Sequence, residues 1–351
     1  MTDRLHDRPT PFLLADHGVL ASNVTAMAGL ARSLGLALRP HAKTHKCAEV
    51  ARLQLDAGAS GLTVATVSEA EAFAEAGVTD LFVAYPLWVD AARGSRLRAL
   101  AERATVTVGV DSVDGARALA AQVPGASVLV EVDCGQHRSG APAAGAGVVA
   151  EGAARAGLDV RGVFAFPGHS YSPGVAAHVA AEESAALRTA VGSLSEHGLE
   201  ARVVSGGSTP SATDADPDVL TEMRPGVYVF GDAQQWELGS TSPDRIALTA
   251  LATVVSRAGG NVVLDTGSKV LGADRAPWAT GHGRLLDHPE ARISLLAEHH
   301  AVVTWDRSPL PELGSRVRVV PNHVCTAVNL ADELVLGDGT SWRVVARGAN
   351  T

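Results

Sequence analysis

The chain has 351 residues, of which 46% are hydrophobic and 19% are charged, so it can bury a sizeable core and is too apolar to be disordered. At roughly 100 to 200 residues per domain, this length predicts about two domains. The formal net charge of −9 argues against nucleic acid or an acidic membrane surface as a partner.

The cysteines and the N-terminal segment indicate the compartment. Cys47, Cys134 and Cys325 are an odd number spread along the chain, which implies no disulfide framework and fits a reducing interior. Residues 1–11 lack the charged-then-apolar order of a secretory signal, and no apolar run reaches the ~18 residues of a membrane span. We therefore expect a soluble, cytoplasmic protein.

Lysine is scarce in this sequence. There are 26 arginines and only three lysines, Lys43, Lys46 and Lys269. A GC-rich coding bias accounts for the skew, since it replaces lysine with arginine wherever a generic positive charge suffices. A retained lysine is then of interest, because arginine cannot supply a deprotonatable primary amine.

From residue 36, short apolar runs alternate with longer Ala-rich runs at helical spacing, a pattern typical of βα units. Strands are predicted at 36–43, 61–66, 81–86, 106–111, 128–133, 160–167, 201–206 and 223–230. Helices are predicted at 17–34, 68–76, 90–104, 112–121 and 176–197. Eight units over about 200 residues favour a closed (β/α)8 TIM barrel over an open doubly wound sheet.

After about residue 240 the pattern changes to short β-rich segments separated by Gly, Asp, Asn and Pro, which predicts an antiparallel β domain. These segments lie at 247–256, 261–265, 316–320, 333–336 and 341–346. The predicted fold is thus α/β, with a barrel domain at 16–240 and a β domain at 241–351. Residues 1–15 are expected to add a strand to the β domain.

Candidate reactive residues follow the predicted barrel strands, because the carboxyl ends of those strands carry the active sites of such barrels. Lys43 ends the first apolar run, and a buried lysine with a lowered pKa can form a Schiff base with an aldehyde. Lys46 is expected to be a solvated charge. After the fifth strand come Asp133, His137 and Arg138, while Cys134 is expected to be a small buried thiol. His169 and Tyr171 follow the sixth strand.

The seventh predicted strand ends in SGGSTPS, residues 205–211. Paired glycines flanked by hydroxyls can hold a phosphate through backbone N–H groups and side-chain donors, although a plain turn has the same composition. Because phosphate sites in barrels cluster after strands seven and eight, we favour a phosphate site. Gly226 and Tyr228 follow beside it in the eighth strand.

The segment PNHVC, residues 321–325, contains His323 and Cys325. On a strand, residues two apart point to the same face, so these two could share a metal ion. Imidazole and thiolate suit Zn²⁺ better than Mg²⁺ or Ca²⁺. Glu298, His299 and His300 are further candidates, or else a surface cluster.

Seven segments occur in an order that resembles the D-threonine aldolase/D-serine dehydratase family. They are HAKTHK (41–46), DCGQHRSG (133–140), GHSY (168–171), SGGSTPS (205–211), RPGVYVFGD (224–232), DTGSK (265–269) and PNHVC (321–325). That family is similar to the alanine racemase type (fold type III) of pyridoxal 5′-phosphate enzyme. The resemblance spans nearly the whole chain and implies a homodimer of barrel and β domains.

Residue by residue, the resemblance implies that Lys43 holds the cofactor and that Arg138 approaches the pyridine nitrogen. Tyr171 would contact the ring or the substrate, and His169 is a candidate base for the substrate's β-hydroxyl. The implied phosphate ligands are Ser205, Gly206, Gly207, Ser208, Thr209, Gly226 and Tyr228. His323 and Cys325 would bind a divalent metal that alanine racemases lack.

The resemblance implies a lyase that acts on D-3-hydroxy amino acids. D-threonine aldolases resemble each other in having His-x-Asp at the metal site, whereas Cys325 resembles the D-serine dehydratase branch, which uses zinc. We therefore favour elimination to a 2-oxo acid and ammonia, with Zn²⁺ favoured over Mn²⁺. Retro-aldol cleavage to glycine and an aldehyde is the alternative. An amino-acid racemase and a non-catalytic cofactor-binding protein are the other hypotheses.

Overall fold

The computed structural model describes residues 3–305 and 309–351. The chain divides into two compact units. The barrel unit comprises Met27–Lys43, Ala51–Gly226 and Ala349–Thr351, and the β unit comprises Met1–Ala26, Thr44–Val50 and Val227–Gly348. The domain boundaries predicted at residues 15 and 240 stay predictions.

Eight parallel strands form the main sheet of the barrel unit. They are β2 (Ala37–Leu38), β3 (Leu62–Val64), β4 (Asp80–Val83), β5 (Thr105–Val110), β6 (Ser127–Asp133), β8 (Asp159–Ala165), β9 (Val203–Gly206) and β10 (Glu222–Met223). Their order is β2-β10-β9-β8-β6-β5-β4-β3, and the short β7 (Ala141–Pro142) pairs with β6. A parallel bridge between His41 and Thr63 joins the two ends of this order. The sheet therefore closes, which confirms the predicted (β/α)8 barrel.

The helices cover the strands with buried apolar faces. They are α2 (His17–Ser33), α3 (Ala48–Asp56), α4 (Val67–Glu75), α5 (Ala91–Ala101), α6 (Val113–Gln122), α7 (Ala146–Arg155) and α8 (Ala176–Glu196). Thr66, Asp90 and Ser112 cap α4, α5 and α6, because each side chain accepts a hydrogen bond from a backbone N–H of the first turn. No helix in the described ranges has the length and hydrophobicity of a membrane span.

The barrel interior holds two aromatic rings and a buried cation. The rings of Phe82 and Phe164 meet edge to face at 5.0 Å between centroids. The guanidinium of Arg224 lies 5.6 Å from the first ring centroid and 5.2 Å from the second. Arg224 is only 4% exposed, so its charge is stabilised by groups inside the barrel.

A second arginine links strands on both sides of the barrel closure. Arg39 follows β2, and its Nε lies 2.7 Å from Glu222 Oε2 at the start of β10. Its Nη1 lies 2.7 Å from Asp80 Oδ1 at the start of β4. Because Arg39 and Glu222 are largely buried, this triad fixes the register of the strands that close the barrel.

The β unit contains a mostly antiparallel sheet, in which β1 and β17 pair in parallel. Its strands are β1 (Phe12–Ala15), β11 (Leu248–Ser256), β12 (Val262–Leu264), β13 (Gly283–Leu285), β14 (Arg292–Leu296), β15 (Ala301–Thr304), β16 (Arg316–Pro321), β17 (Glu333–Leu336) and β18 (Ser341–Arg343). The order is β12-β15-β14-β13-β16-β11-β1-β17-β18, with β12 also paired to β11. The extra pairing closes six strands into a small barrel, and β1 lies between β11 and β17.

Four short helices complete the β unit. They are α1 (Asp3–His6), α9 (Ala233–Leu238), α10 (Ser268–Leu271) and α11 (Val324–Leu330). The sequence analysis expected an antiparallel β domain here, which is confirmed, but it did not anticipate β13, β14, β15 or α11. These elements are short, so their pattern is not periodic enough to distinguish them from loops.

Replacing Arg39 tests the closing triad. We expect Arg39→Met to lower the free energy of unfolding by about 3 kcal/mol, because it leaves the buried Glu222 carboxylate without its main ion-pair partner. Urea unfolding followed by circular dichroism measures this change. The control is Arg103→Met, because Arg103 Nη1 lies 4.0 Å from Glu75 Oε1 and both side chains are exposed. This variant should lower the free energy of unfolding by less than about 0.5 kcal/mol. Equal losses in the two variants would contradict the role of the triad.

Candidate active site

Three predicted site residues gather around one aromatic ring in the barrel unit. Lys43 Nζ lies 5.5 Å from the ring centroid of Phe166, and the Arg138 guanidinium lies 5.3 Å from it. The Tyr171 ring centroid is 6.3 Å from the same ring. Lys43 follows β2, Arg138 follows β6 and Tyr171 follows β8, so the carboxyl ends of the strands bring them together as predicted for a barrel.

Phe166 itself was not predicted as a site residue. The first strand was predicted to reach Lys43, but β2 ends at Leu38 and Lys43 lies in the 3-10 turn Ala42–Thr44. Pro40 lacks a backbone N–H and so cannot continue the ladder. The sequence therefore gives the approximate place of the lysine, while only the folded chain shows the ring beside it.

Arg138 also faces a buried carboxylate. Its Nη2 lies 4.0 Å from Glu131 Oε1, and Ser139 Oγ donates to the same oxygen over 3.0 Å. Glu131 is 3% exposed, and burial raises the pKa of its carboxyl. The guanidinium is thus held between a carboxylate and an aromatic ring.

His169 contacts a carboxylate from α8. Its Nε2 lies 3.1 Å from Glu182 Oε2, and the other oxygen of Glu182 lies 3.3 Å from His178 Nε2. Among the residues that the structure describes, the buried Nδ1 of His169 has no hydrogen-bond partner. A carboxylate on one ring nitrogen fixes the orientation of the imidazole.

The predicted phosphate donors at 205–209 lie at the end of β9 and in the turn after it, and several of them already have partners. Ser205 Oγ donates to Glu222 Oε1 over 2.7 Å, and the Gly207 N–H donates to Glu183 Oε1 over 2.8 Å. Ser208 Oγ lies 2.8 Å from both Ser170 Oγ and Ser211 Oγ. A phosphate that accepts from Ser205 would have to replace the hydrogen bond of this residue to Glu222. The hydroxyl of Ser208, by contrast, can turn its proton towards a ligand.

Burial changes the protonation of Glu183, which the sequence analysis did not single out. The residue is 2% exposed, and burial raises the pKa of its carboxyl to about 7, against smaller opposing effects of the Gly207 N–H and the Arg224 guanidinium. Glu183 therefore keeps its proton in mildly acidic solution and loses it near pH 7.

The last two predicted phosphate ligands lie beyond β10. Gly226 ends the largest segment of the barrel unit, and Tyr228 lies in the 3-10 turn Val227–Val229 of the β unit. Tyr228 is buried. The predicted strand at 223–230 therefore ends early, at Met223, and the phosphate role of these two residues stays a prediction.

The predicted metal ligands meet in the β unit, although the predicted strand geometry is wrong. His323 is the N-cap residue of α11 and Cys325 lies in its first turn, so a helix start replaces the strand. The pKa of His323 is raised well above its usual value, mainly by the negative charge of the Cys325 side chain and further by Asp232. The imidazole and the Cys325 side chain therefore interact directly.

Asp232 orients this pair and was missed by the sequence analysis. The carboxylate is fully buried and accepts hydrogen bonds from the N–H groups of Gln235 and Val324. Its Oδ2 lies 3.5 Å from His323 Nδ1. A carboxylate on one nitrogen of an imidazole leaves the other nitrogen oriented for a metal, an arrangement common around zinc ligands.

The other candidate ligands do not join this pair in a larger cluster. Glu298 Oε2 pairs with Lys269 Nζ at 2.9 Å, with both side chains exposed, and His299 Nε2 lies 3.5 Å from the same amine. Within residues 3–305 and 309–351, no group of three or more His, Cys, Asp or Glu side chains is arranged to hold a metal ion.

Two further expectations are resolved. Cys134 is buried, and burial raises the pKa of its thiol to about 12, so it stays protonated and is a poor nucleophile.

Lys46 is not the solvated charge that was expected. It is 4% exposed, and its Nζ donates to Asn329 Oδ1 over 2.7 Å, which makes it part of the packing of the β unit.

Comparisons with known proteins agree with this architecture. The model of the alanine racemase N-terminal domain matches residues 16–234, and that of the putative serine dehydratase domain matches residues 247–336. D-threonine aldolase from an Arthrobacter species is 33% identical over 97% of this chain and 93% of its own length. D-threo-3-hydroxyaspartate dehydratase from Delftia sp. strain HT23 is 33% identical over 93% of each chain.

A solved structure shows the same fold. A cysteine-to-alanine mutant of D-threo-3-hydroxyaspartate dehydratase in its metal-free form matches with a TM-score of 0.89 and 30% identity, over 97% of this chain and 99% of that chain. A parallel barrel with a lysine at the carboxyl ends of its strands, followed by an antiparallel β domain, defines an enzyme of the alanine racemase type. The chain belongs to the family that contains D-threonine aldolase and D-threo-3-hydroxyaspartate dehydratase, as its motifs predicted.

The protonation of Glu183 has a measurable effect on stability. An acid whose pKa is raised by folding stabilises the folded chain below its ordinary pKa of 4.5, and that contribution is lost as the pH rises through about 7. Glu183→Gln removes this titration. Urea unfolding measures the free energy of unfolding at each pH. As the pH rises from 5 to 8, we expect this free energy to increase by about 2–3 kcal/mol in the variant relative to the parent chain.

The matched control is Glu196→Gln, which removes an exposed carboxylate from the end of the same helix. Its stability should follow that of the parent chain across the pH range. Parallel curves for the Glu183 variant and the parent would show that Glu183 does not titrate in this range.

Proposed function

We propose that the chain is a pyridoxal 5′-phosphate-dependent lyase that acts on D-3-hydroxy amino acids and uses a divalent metal as a second cofactor. One observation carries this proposal: Lys43, Arg138 and Tyr171 lie around the Phe166 ring at the carboxyl ends of the barrel strands. The relatives support the same class of substrate, since they are named for D-threonine and D-threo-3-hydroxyaspartate.

The residues of the barrel unit fit the cofactor. Lys43 supplies a primary amine, which is the group that binds an aldehyde covalently. Arg138 supplies a guanidinium that can only donate hydrogen bonds, so a pyridine nitrogen facing it would stay unprotonated. The turn of Gly206 and Gly207, followed by Ser208 and Thr209, supplies a close backbone approach and hydroxyl donors for a phosphate.

The protein's own groups would handle the protons. When bound, pyridoxal phosphate delocalises the negative charge that forms at Cα of the substrate. Lys43, once released from the cofactor, is the candidate base for the Cα proton. His169, oriented by Glu182, is the candidate base for the β-hydroxyl proton, and Tyr171 is the candidate contact for the substrate.

The pair of His323 and Cys325 fits a zinc ion. Nitrogen and thiolate ligands favour zinc over magnesium or calcium, and Asp232 already orients the imidazole. A metal at this pair would act as a Lewis acid on the substrate's β-oxygen and would help hydroxide to leave. We therefore include zinc in the proposal, with manganese as the alternative metal.

The enzyme could break either of two bonds in the substrate, and we favour the one whose cleavage is an elimination. In elimination, the Cα proton and the β-hydroxide leave, and hydrolysis of the resulting enamine gives a 2-oxo acid and ammonia. In retro-aldol cleavage, the hydroxyl proton leaves, Cα–Cβ breaks and Cα takes up a proton, which gives glycine and an aldehyde. Cys325 is the residue that favours elimination. A homodimer and a cytoplasmic location are further parts of the proposal.

Lys43 tests the cofactor assignment. The purified protein should show an absorbance band near the violet edge of the visible spectrum, and both Lys43→Ala and Lys43→Arg should lose it. The arginine variant keeps the positive charge without a primary amine, so it separates covalent attachment from charge. We expect activity to fall at least about 10³-fold in both variants. A band that persists in them would contradict the assignment.

Product analysis tests the reaction and the metal. D-serine, D-threonine and D-threo-3-hydroxyaspartate are each incubated with the zinc-loaded or manganese-loaded enzyme. We expect 2-oxo acids and ammonia, and a loss of activity of about 10²-fold or more after chelation or in His323→Ala. Glycine with an aldehyde would establish the aldolase alternative. Racemisation that survives chelation would overturn both lyase reactions.

A further inference from the structure

Glu183 lies near the middle of α8, on the side of the helix that packs against the barrel strands. Its carboxylate reaches the turn that follows β9, where Oε1 accepts the Gly207 N–H over 2.8 Å. The residue is 2% exposed. Burying a carboxyl group costs free energy unless it is well bonded, so a core position of this kind would normally hold an apolar side chain.

The turn is shaped to this carboxyl group. A Cβ on Gly206 would lie 2.6 Å from Glu183 Oε1 and 2.9 Å from Leu220 Cδ2, so a side chain at residue 206 would push the carboxyl away. Gly207 has φ of +80°, a left-handed conformation that side chains other than glycine rarely adopt. Gly206 is therefore required by the packing against Glu183, and Gly207 by the conformation of its backbone.

The charged groups around Glu183 come from several barrel strands. Arg224, just after β10, is the cation that acts on Glu183, and Glu131 and Glu222 act on the same guanidinium. Cys134, just after β6, is influenced by Glu183 in turn. Since burial favours its neutral form, Glu183 can accept the Gly207 N–H without placing a full negative charge behind the turn.

We propose that Glu183 is a positioning residue, which holds the Gly206–Gly207 turn in the conformation that receives the phosphate of the cofactor. This inference rests on the proposed function, because it assumes that the turn binds that phosphate. Glu183 itself contacts the turn through the Gly207 N–H, and it acts on the ligand through that backbone.

The test compares two cofactor forms that differ only in the phosphate. Apoprotein is titrated with pyridoxal phosphate and with pyridoxal, and the Lys43-dependent absorbance band is followed. We expect Glu183→Met to lower the affinity for pyridoxal phosphate about tenfold, because the hydrogen bond that holds the turn is lost. The affinity for pyridoxal should change by less than about twofold. Glu183→Gln should restore the affinity, since its amide oxygen can accept the same N–H.

Glu196→Gln is the matched control on α8 and should leave both affinities unchanged. A Glu183→Met variant with the parent's preference for pyridoxal phosphate over pyridoxal would overturn the role of Glu183 and leave the proposed function standing. A parent chain that binds neither form would overturn the proposed function and this inference together.

Gly206→Ala provides a second approach if Glu183→Met does not fold. The added methyl group displaces the Glu183 carboxyl while the side chain itself remains, so the preference for pyridoxal phosphate should again fall about tenfold. Circular dichroism checks that each variant is folded. An unchanged preference in folded Gly206→Ala would contradict the proposal.

Discussion

The buried guanidinium of Arg224 is the constraint on which the barrel unit depends. Burial lowers the pKa of this group, and Glu222, Glu183 and Glu131 oppose that effect. A cation in the interior is tolerated only when carboxylates and hydrogen bonds compensate for the lost water. The barrel meets this requirement chiefly with Glu222 of β10, whose charge opposes the effect of burial most strongly, and the guanidinium also lies over the rings of Phe82 and Phe164.

Each of these three acidic side chains also has a second contact. Glu222 accepts from Ser205 and pairs with Arg39, which joins the strands at the barrel closure. Glu183 accepts the Gly207 N–H. Glu131 accepts from Ser139 and faces Arg138. One buried charge network thus connects the closure of the barrel with the turn after β9 and with the arginine beside Phe166.

The β unit uses a buried carboxylate in a similar way. Asp232 caps α9, accepts the N–H of Val324 at the start of α11 and faces the His323 imidazole. The start of α11 and the orientation of the histidine are therefore fixed by the same group. Cys325 follows in the first turn of α11, where its side chain reaches the imidazole.

The sequence by itself determined the alternation of strands and helices and the places of the reactive residues. Buried parallel strands have a continuous apolar pattern, and motifs such as HAKTHK and SGGSTPS are local, so both can be recognised without coordinates. Lys43, Arg138 and Tyr171 were predicted at the carboxyl ends of strands and lie together around one ring.

Only the tertiary structure decided which groups support those residues. Phe166, Glu183 and Asp232 contact groups that are distant in the chain or depend on a particular turn, and no local pattern marks such contacts. A helix at Val324–Leu330 stands where a strand was predicted, and the N–H of its first residue donates to Asp232, which is distant in the chain. Side-chain roles that depend on burial and on distant partners are set by packing, which a single sequence does not contain.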